Sequence, residues 1–303
     1  MPTDFIQHGG LTIHPDYADA LQAAGLDSLD ALLQTPGADN LHKPGLADWR
    51  QRLRLKLHDS HENTGVGVTQ PLVCYLKRYR RPPIKAQWEN RRAGHADCAA
   101  VEWRWLTELD RLGVPGPIPV AYGARRRGLL EDASVVVTAA VPGESLERWV
   151  PNQLAPGDAL DDRDARRRLI HATATLAAQL HGHGLIHRDL YLAHLFLDPA
   201  TLDDGPPTLT LIDLQRMIRP RVRWTRWVVK DLAALSYSTP APAASTADRV
   251  RWFKQYRNTA KLSPADRSLI RAVAAKTKRI ARHDAKRNAR HATQEDANRA
   301  PTV

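Results

Sequence analysis

Apolar and polar residues alternate strictly over Leu53-Arg54-Leu55-Lys56-Leu57, the period-two pattern of a strand with one buried face, and this predicts a strand over 49–57. A second is expected over Leu72-Val73-Cys74-Tyr75-Leu76-Lys77-Arg78-Tyr79, closed by Arg81-Pro82-Pro83. The polar stretch between them holds Gly65 and Gly67 and reads as their turn. The β-branched run Ser134-Val135-Val136-Val137 predicts a buried strand. Helical spacing takes over at 96–112, where Ala99, Leu106, Leu109 and Gly113 share a face that also carries Glu102. One or two short helices are expected within 11–36 from the stripe Leu21, Leu29, Leu32, Leu33, stopped by Thr35-Pro36-Gly37. A long helix is expected over 162–183 (Leu169, Ala172, Leu176, Leu180), another from Asp231, and two more over 248–260 and 264–290, with disorder from Thr293.

At 303 residues the chain can bury one large core or two lobes. Its two cysteines, Cys74 and Cys98, have no C-x-x-C partner, so neither a zinc site nor a disulfide framework is indicated, and a reducing compartment is expected. No secretory signal or bilayer-spanning apolar run is visible, which suits a cytoplasmic protein or one peripheral to a membrane. The net charge of +11 suits an anionic partner: nucleic acid, anionic lipid, or a phosphorylated or carboxylated sugar. Plain solubility accounts for it equally. No base-reading motif accompanies the charge, so no specific nucleic-acid partner is expected.

The candidate chemistry lies in Gly184-Leu185-Ile186-His187-Arg188-Asp189-Leu190-Tyr191-Leu192-Ala193-His194-Leu195-Phe196-Leu197, a polar loop between a helix and an apolar strand. A second strand, Leu209-Thr210-Leu211-Ile212, ends in Asp213. Two carboxylates at strand ends of one hairpin suit phosphoryl transfer: one accepts the proton of an attacking hydroxyl, the other holds Mg²⁺ on a nucleotide. Lys77, within an apolar strand, is costly to bury unpaired. It is either an edge-strand lysine or a phosphate contact, and the second reading requires a carboxylate partner, for which Glu102 is placed. The histidines His171, His181 and His183 lack matching acidic or thiol ligands and read as solvated or capping groups. After Asp213 come Arg216, Arg219, Arg221, Arg223, Arg226 and Lys230, with Trp224 and Trp227 interleaved. This is either a solvated basic loop or an acceptor site in which Arg219, Arg221, Arg223 and Arg226 grip carboxylates or phosphates.

His187-Arg188-Asp189 resembles the H-R-D-x-x-x-x-N loop of protein kinases, with His194 in place of Asn and Asp213-Leu214-Gln215 in place of D-F-G. H-R-D-L-Y-x-x-H followed by I-D-L-x-R resembles the lipopolysaccharide kinase (Kdo/WaaP) family over roughly residues 40 to 240. The resemblance implies a two-lobed, protein-kinase-like α+β fold: a small, mostly antiparallel sheet lobe plus a larger helical lobe. The expected divisions are an N-terminal helical extension (1–36), the sheet lobe (37–143), the helical lobe (144–265) and a basic tail (266–303). ATP and Mg²⁺ lie between the lobes, and 139–143 is the adenine hinge. Asp189 is the catalytic base and Asp213 binds the metal. Lys77, held by Glu102, binds the α and β phosphates. His194 takes the second metal position or a hydrogen-bonding role. His187 and Arg188 brace the loop, and Asp231 caps it from the next helix. The phosphate-covering loop is expected around Lys43-Pro44-Gly45. The implied function is ATP-dependent phosphorylation of heptose or Kdo in the lipopolysaccharide inner core, an anionic glycolipid, at the cytoplasmic face of the inner membrane. The basic tail is either solvated or in contact with anionic lipid. A protein kinase and a non-catalytic kinase-like binding module are the alternatives; only seventeen residues between Asp213 and Asp231 argue against a peptide platform.

Overall fold

A computed structural model describes the chain except residues 1–2, 38, 42–46, 58–71, 203–204 and 300–303, and describes no side chains over 291–299. The expected phosphate-covering loop at 43–45 and the turn with Gly65 and Gly67 lie outside the described residues. The chain divides into two compact units, Met1–Val141 and Pro142–Val303.

The first unit is built on a seven-stranded sheet. Its strands are β1 (Ile6–His8), β2 (Leu11–Ile13), β3 (Asp39–Asn40), β4 (Arg50–Leu57), β5 (Leu72–Arg80), β6 (Pro119–Arg127) and β7 (Leu130–Ala139). Their order is β1-β2-β6-β7-β5-β4-β3, with every pairing antiparallel. The alternation over 53–57 does what its period requires: Leu53, Leu55 and Leu57 are buried, and Arg54 and Lys56 are not. One face packs on α1 (Ala18–Ala23) and α2 (Leu29–Gln34), whose Leu21, Leu29, Leu32 and Leu33 join Leu53, Leu55, Leu76, Val135 and Val137 in one core. Residues 1–36 are therefore not simply helical: they open with a hairpin that lengthens the sheet, then cover one of its faces. Arg78 of β5 is buried and donates to the carbonyls of Leu32 and Thr35, satisfying the end of α2. Burial lowers its guanidinium to about 10.

The opposite face takes α3 (Ile84–Arg92) and α4 (Cys98–Leu112), the latter packing on β5, β6 and β7. The first turn of α4 is pinned to β7 by side chains: Cys98 N–H donates to Glu131 at 3.0 Å and Ala99 N–H to Ser134 Oγ at 3.1 Å, while Asp97 accepts from Ala100 N–H at 2.8 Å as N-cap. Gly113, left-handed at φ 64°, ends the helix.

The second unit is mainly helical: α5 (Leu146–Trp149), α6 (Arg163–Gly182), α7 (Trp224–Ser238), α8 (Thr246–Tyr256) and α9 (Pro264–Arg299). A small antiparallel sheet of β8 (Glu144–Ser145), β9 (Leu195–Leu197) and β10 (Leu209–Leu211) runs in the order β10-β9-β8. Gly143 makes this sheet possible. Its φ is 78°, and a Cβ there would overlap the carbonyl of Leu197. Two expectations are corrected. The helix holding Asp231 begins at Trp224, so Asp231 lies within it and does not open it. The last helix also continues past Thr293, to Arg299.

Candidate active site

The first unit contributes an ion pair. Lys77 stands opposite Val136 across the β5–β7 ladder, on the face turned to α4. Because β7 fixes the first turn of α4, Glu102 is carried one turn on to meet it. Lys77 Nζ lies 2.6 and 2.7 Å from the two Glu102 oxygens, and Glu102 is 3% exposed. A carboxylate buried this deeply is tolerable only with a cation bound to it. The side chains of α1 and α2 cover the other face, so the Lys77 face is free of that core. We expect Lys77→Ala and Glu102→Ala to be strongly non-additive in nucleotide affinity, with the double variant no worse than either single one. The coupling should be on the order of 1–3 kcal/mol, read by titrating a fluorescent ATP analogue. Additive losses would separate the two residues.

The second unit builds its site on the segment that follows α6. Main-chain bonds in both directions between Ile186 and Ile218, each 3.0 Å, clamp the start of this loop to the strand-like exit after Asp213. Asp231 of α7, 0% exposed, accepts from His187 N–H at 2.7 Å and from His181 Nε2 at 3.4 Å. His181 Nδ1 in turn meets the Tyr256 hydroxyl at 2.8 Å, so this histidine belongs to the scaffold. The His187 imidazole donates through Nε2 to the Ile212 carbonyl at 3.0 Å, tying the loop to β10. Burial pushes its pKa down, against the opposing pull of Asp231, and the ring is held neutral. Arg188 places its guanidinium 5.5 Å from the Trp227 ring.

Arg188 (φ 73°) and Asp213 (φ 60°) are both left-handed, which costs a non-glycine residue about 1–2 kcal/mol. Strain at two positions flanking one site marks backbone held for a purpose, and the clamps just described supply the restraint. The result is a set of converging polar groups. His194 Nδ1 donates to the Asp189 carbonyl at 2.7 Å. In the neutral ring this turns the Nε2 lone pair toward Asp213, whose Oδ2 is 3.6 Å away. Asp189 is only 16% exposed at its side chain, whereas Asp213 is 42% exposed.

The structure thus brings Asp189, His194 and Asp213 together, with His187, Arg188 and Asp231 behind them. It does not give the arginines of the acceptor expectation to Asp189. Arg221, Arg223 and Arg226 are exposed, Arg219 is directed at the His183 carbonyl, and Arg226 stands over Trp227 at 5.7 Å. The cations at Asp189 are Arg216, 2.7 Å from Oδ2, and Lys230, 3.8 Å from Oδ1. Sequence reasoning gave neither of them a role. Arg216 was nonetheless visible as the last residue of the I-D-L-x-R motif.

A fully antiparallel sheet lobe holding a buried lysine–glutamate pair and a helical lobe holding an H-R-D loop and a strand-end aspartate, in one chain, are the two parts of the protein-kinase-like fold. The profile of the lipopolysaccharide kinase (Kdo/WaaP) family matches residues 56–256, and the chain belongs to that family. Lipopolysaccharide core heptose(I) kinase WaaP of Pseudomonas aeruginosa is 31% identical over 164 residues, covering 52% of this chain and 59% of that relative. The WaaP of Escherichia coli K12 is 29% identical over 188 residues, covering 59% and 68%. The aligned part thus spans about three fifths to two thirds of these curated relatives. A solved structure of WaaP in complex with acyl carrier protein superposes with a TM-score of 0.63 at 23% identity, covering 90% of this chain and 98% of that one, a likeness of fold.

Proposed function

We propose that this protein is an ATP-dependent kinase that phosphorylates a sugar hydroxyl, on heptose or Kdo, of the lipopolysaccharide inner core. One observation carries the reading: the segment matched to the family, 56–256, holds both the buried Lys77–Glu102 pair and the converging Asp189, His194 and Asp213. A module that only binds has no need to keep the Lys77–Glu102 pair together with the Asp189 and Asp213 carboxylates in one chain.

Asp189, its backbone fixed through His194 and its neighbour His187, orients the acceptor hydroxyl and takes its proton. Lys77, positioned by Glu102, meets the α and β phosphates of ATP. Asp213 offers an accessible carboxylate oxygen, the donor Mg²⁺ prefers, and His194 beside it offers an imidazole nitrogen, a poorer ligand, so that one cation there would be completed mainly by phosphate oxygens and water. Mg²⁺ bound there would neutralise phosphate charge. Arg219, Arg221, Arg223 and Arg226, on and beside the first turn of α7, are proposed to hold the anionic groups of the acceptor. No helix among the described residues is long and apolar enough to cross a membrane. The exposed basic face of α9, with Arg271, Lys278, Arg282 and Lys286, suits contact with an anionic bilayer on its cytoplasmic side. By likeness to the solved WaaP complex, an acyl carrier protein is the protein partner to try.

The test is direct. The purified protein is incubated with ATP, Mg²⁺ and core-lipid fractions, and the products are analysed by mass spectrometry. The expected result is one added phosphate on an inner-core sugar. Phosphate found only on protein hydroxyls would replace this reading with that of a protein kinase.

A further inference from the structure

We propose that Arg216 is the catalytic cation that meets the transferring phosphoryl group, while Lys230 stays on Asp189. The proposal rests on the roles given above to Asp189 and Asp213.

The two oxygens of Asp189 face separate cations. Oδ2 lies 2.7 Å from Arg216 Nη1, and Oδ1 lies 3.8 Å from Lys230 Nζ. A carboxylate with a cation on each oxygen has little room for an incoming hydroxyl. One cation therefore has to yield before the reaction, and the two are not alike. Lys230 is set in the body of α7, next to the fully buried Asp231, with its side chain 28% exposed. Arg216 ends the one-turn helix Leu214–Arg216, and its side chain is 55% exposed.

The backbone around Arg216 is fixed. Leu214 and Met217 are 0% and 3% exposed, and Ile218 is bonded to Ile186. Only the long side chain is free to re-aim. Its origin lies three residues past Asp213, and its tip lies on Asp189. A phosphoryl group passing from a nucleotide held at Asp213 to a hydroxyl held at Asp189 enters the space that this guanidinium already occupies. The planar fork of an arginine pairs with phosphoryl oxygens two at a time, whereas a lysine ammonium acts on them as a point charge.

In the step itself, the acceptor hydroxyl oxygen forms a bond to the γ-phosphorus. The bond from that phosphorus to the β–γ bridging oxygen breaks, and its electron pair leaves on ADP. The hydroxyl proton passes to Asp189. Arg216 gives up the Asp189 carboxylate and takes the phosphoryl oxygens, where charge spreads in the transition state; an arginine supplied to a phosphoryl group in this manner contributes about 10³–10⁵ in rate. Lys230 remains at Oδ1 and holds the carboxylate in place when Arg216 leaves.

The test compares the wild type with Arg216→Gln, Arg216→Lys and Lys230→Gln. Calorimetric titration with ADP and with the β,γ-imido analogue of ATP, each with Mg²⁺, reads the γ-phosphate contact. We expect Arg216→Gln to bind ADP normally and to lose about 10-fold for the imido analogue, the size of one charge-assisted hydrogen bond. On the core-lipid acceptor its kcat should fall about 10³-fold, with partial recovery in Arg216→Lys. Lys230→Gln should keep the wild-type affinities for both ADP and the imido analogue, because Lys230 stays on Asp189 and not on the phosphoryl group. The exposed Arg216 leaves melting temperature as a folding control. Equal losses for ADP and the analogue, or a kcat within threefold of wild type, would overturn the proposal. If the wild type binds the analogue and phosphorylates no core lipid, the acceptor reading fails, and the comparison of ADP with the analogue still decides the role of Arg216.

Discussion

Replacing Asp189 by Asn should lower phosphoryl transfer by about 10²–10⁴-fold, the range that a positioned general base contributes. The fold should survive. Asn keeps the shape of the side chain, and the contacts that fix this loop run through the His187 N–H, the His187 ring and the Asp189 carbonyl, none of which involves the Asp189 carboxylate. The ion pairs to Arg216 and Lys230 would be lost, but both partners reach solvent and can be hydrated instead. A melting curve close to wild type combined with a collapsed rate is therefore the expected pair of results. Nucleotide affinity should hold as well, since the proposed phosphate contact, Lys77, is untouched. Transfer within a few-fold of wild type would remove Asp189 from the chemistry.

The largest loss of stability should come from Asp231→Ala. This carboxylate is wholly enclosed, accepts the His187 main-chain N–H at 2.7 Å and faces His181 at 3.4 Å. Its removal leaves a buried backbone donor and a buried imidazole N–H without their acceptor. Breaking one side of a buried charged cluster costs about 3–5 kcal/mol. At a few degrees per kcal/mol for a domain of this size, the melting temperature should drop by roughly 6–20 °C. Asp231→Asn, which retains one oxygen for the His187 N–H, should lose less. The rate should fall in both variants by more than the unfolded fraction explains, because Asp231 fixes the residue two positions before the base. Calorimetry together with specific activity of the folded fraction reads both effects. A shift of only a degree or two in Asp231→Ala would mean that the loop is held by its other clamps.

The sheet lobe was legible where one face of an element is buried and the period is clean. Leu53, Leu55 and Leu57 announced β4, and Ala99, Leu106 and Leu109 announced α4 and placed Glu102 on its inner face. Short or edge elements left no such trace. The hairpin of β1 and β2 has three residues per strand, too few for a period, and the end of β6 is the polar Ala124-Arg125-Arg126-Arg127. Asp231 was misread for a related reason. The apolar run starts after it, at Leu232, and an acid before an apolar run looks like a cap. In the folded chain the helix has already run from Trp224, because Val228 and Trp227 pack with α8 and α9 residues far along the sequence.

The candidate site divides in the same way. The sequence by itself determined the placements that spacing can encode: the aspartate of the H-R-D loop, proposed as base, the aspartate at the end of the next strand, proposed as metal ligand, a lysine on a strand and a glutamate on the inner face of a helix. It could not determine which cations meet Asp189. Charge pattern singled out Arg219, Arg221, Arg223 and Arg226 for an anionic acceptor and named no cation for Asp189. Tertiary structure brings Arg216, from the turn after Asp213, and Lys230, from the second turn of α7, to that carboxylate. Which of several neighbouring cations reaches a given carboxylate depends on the turn geometry after a left-handed Asp213 and on the facing of a helix packed by distant residues. Both are set by contacts between segments far apart in the chain, and so by the packing that only the folded structure supplies.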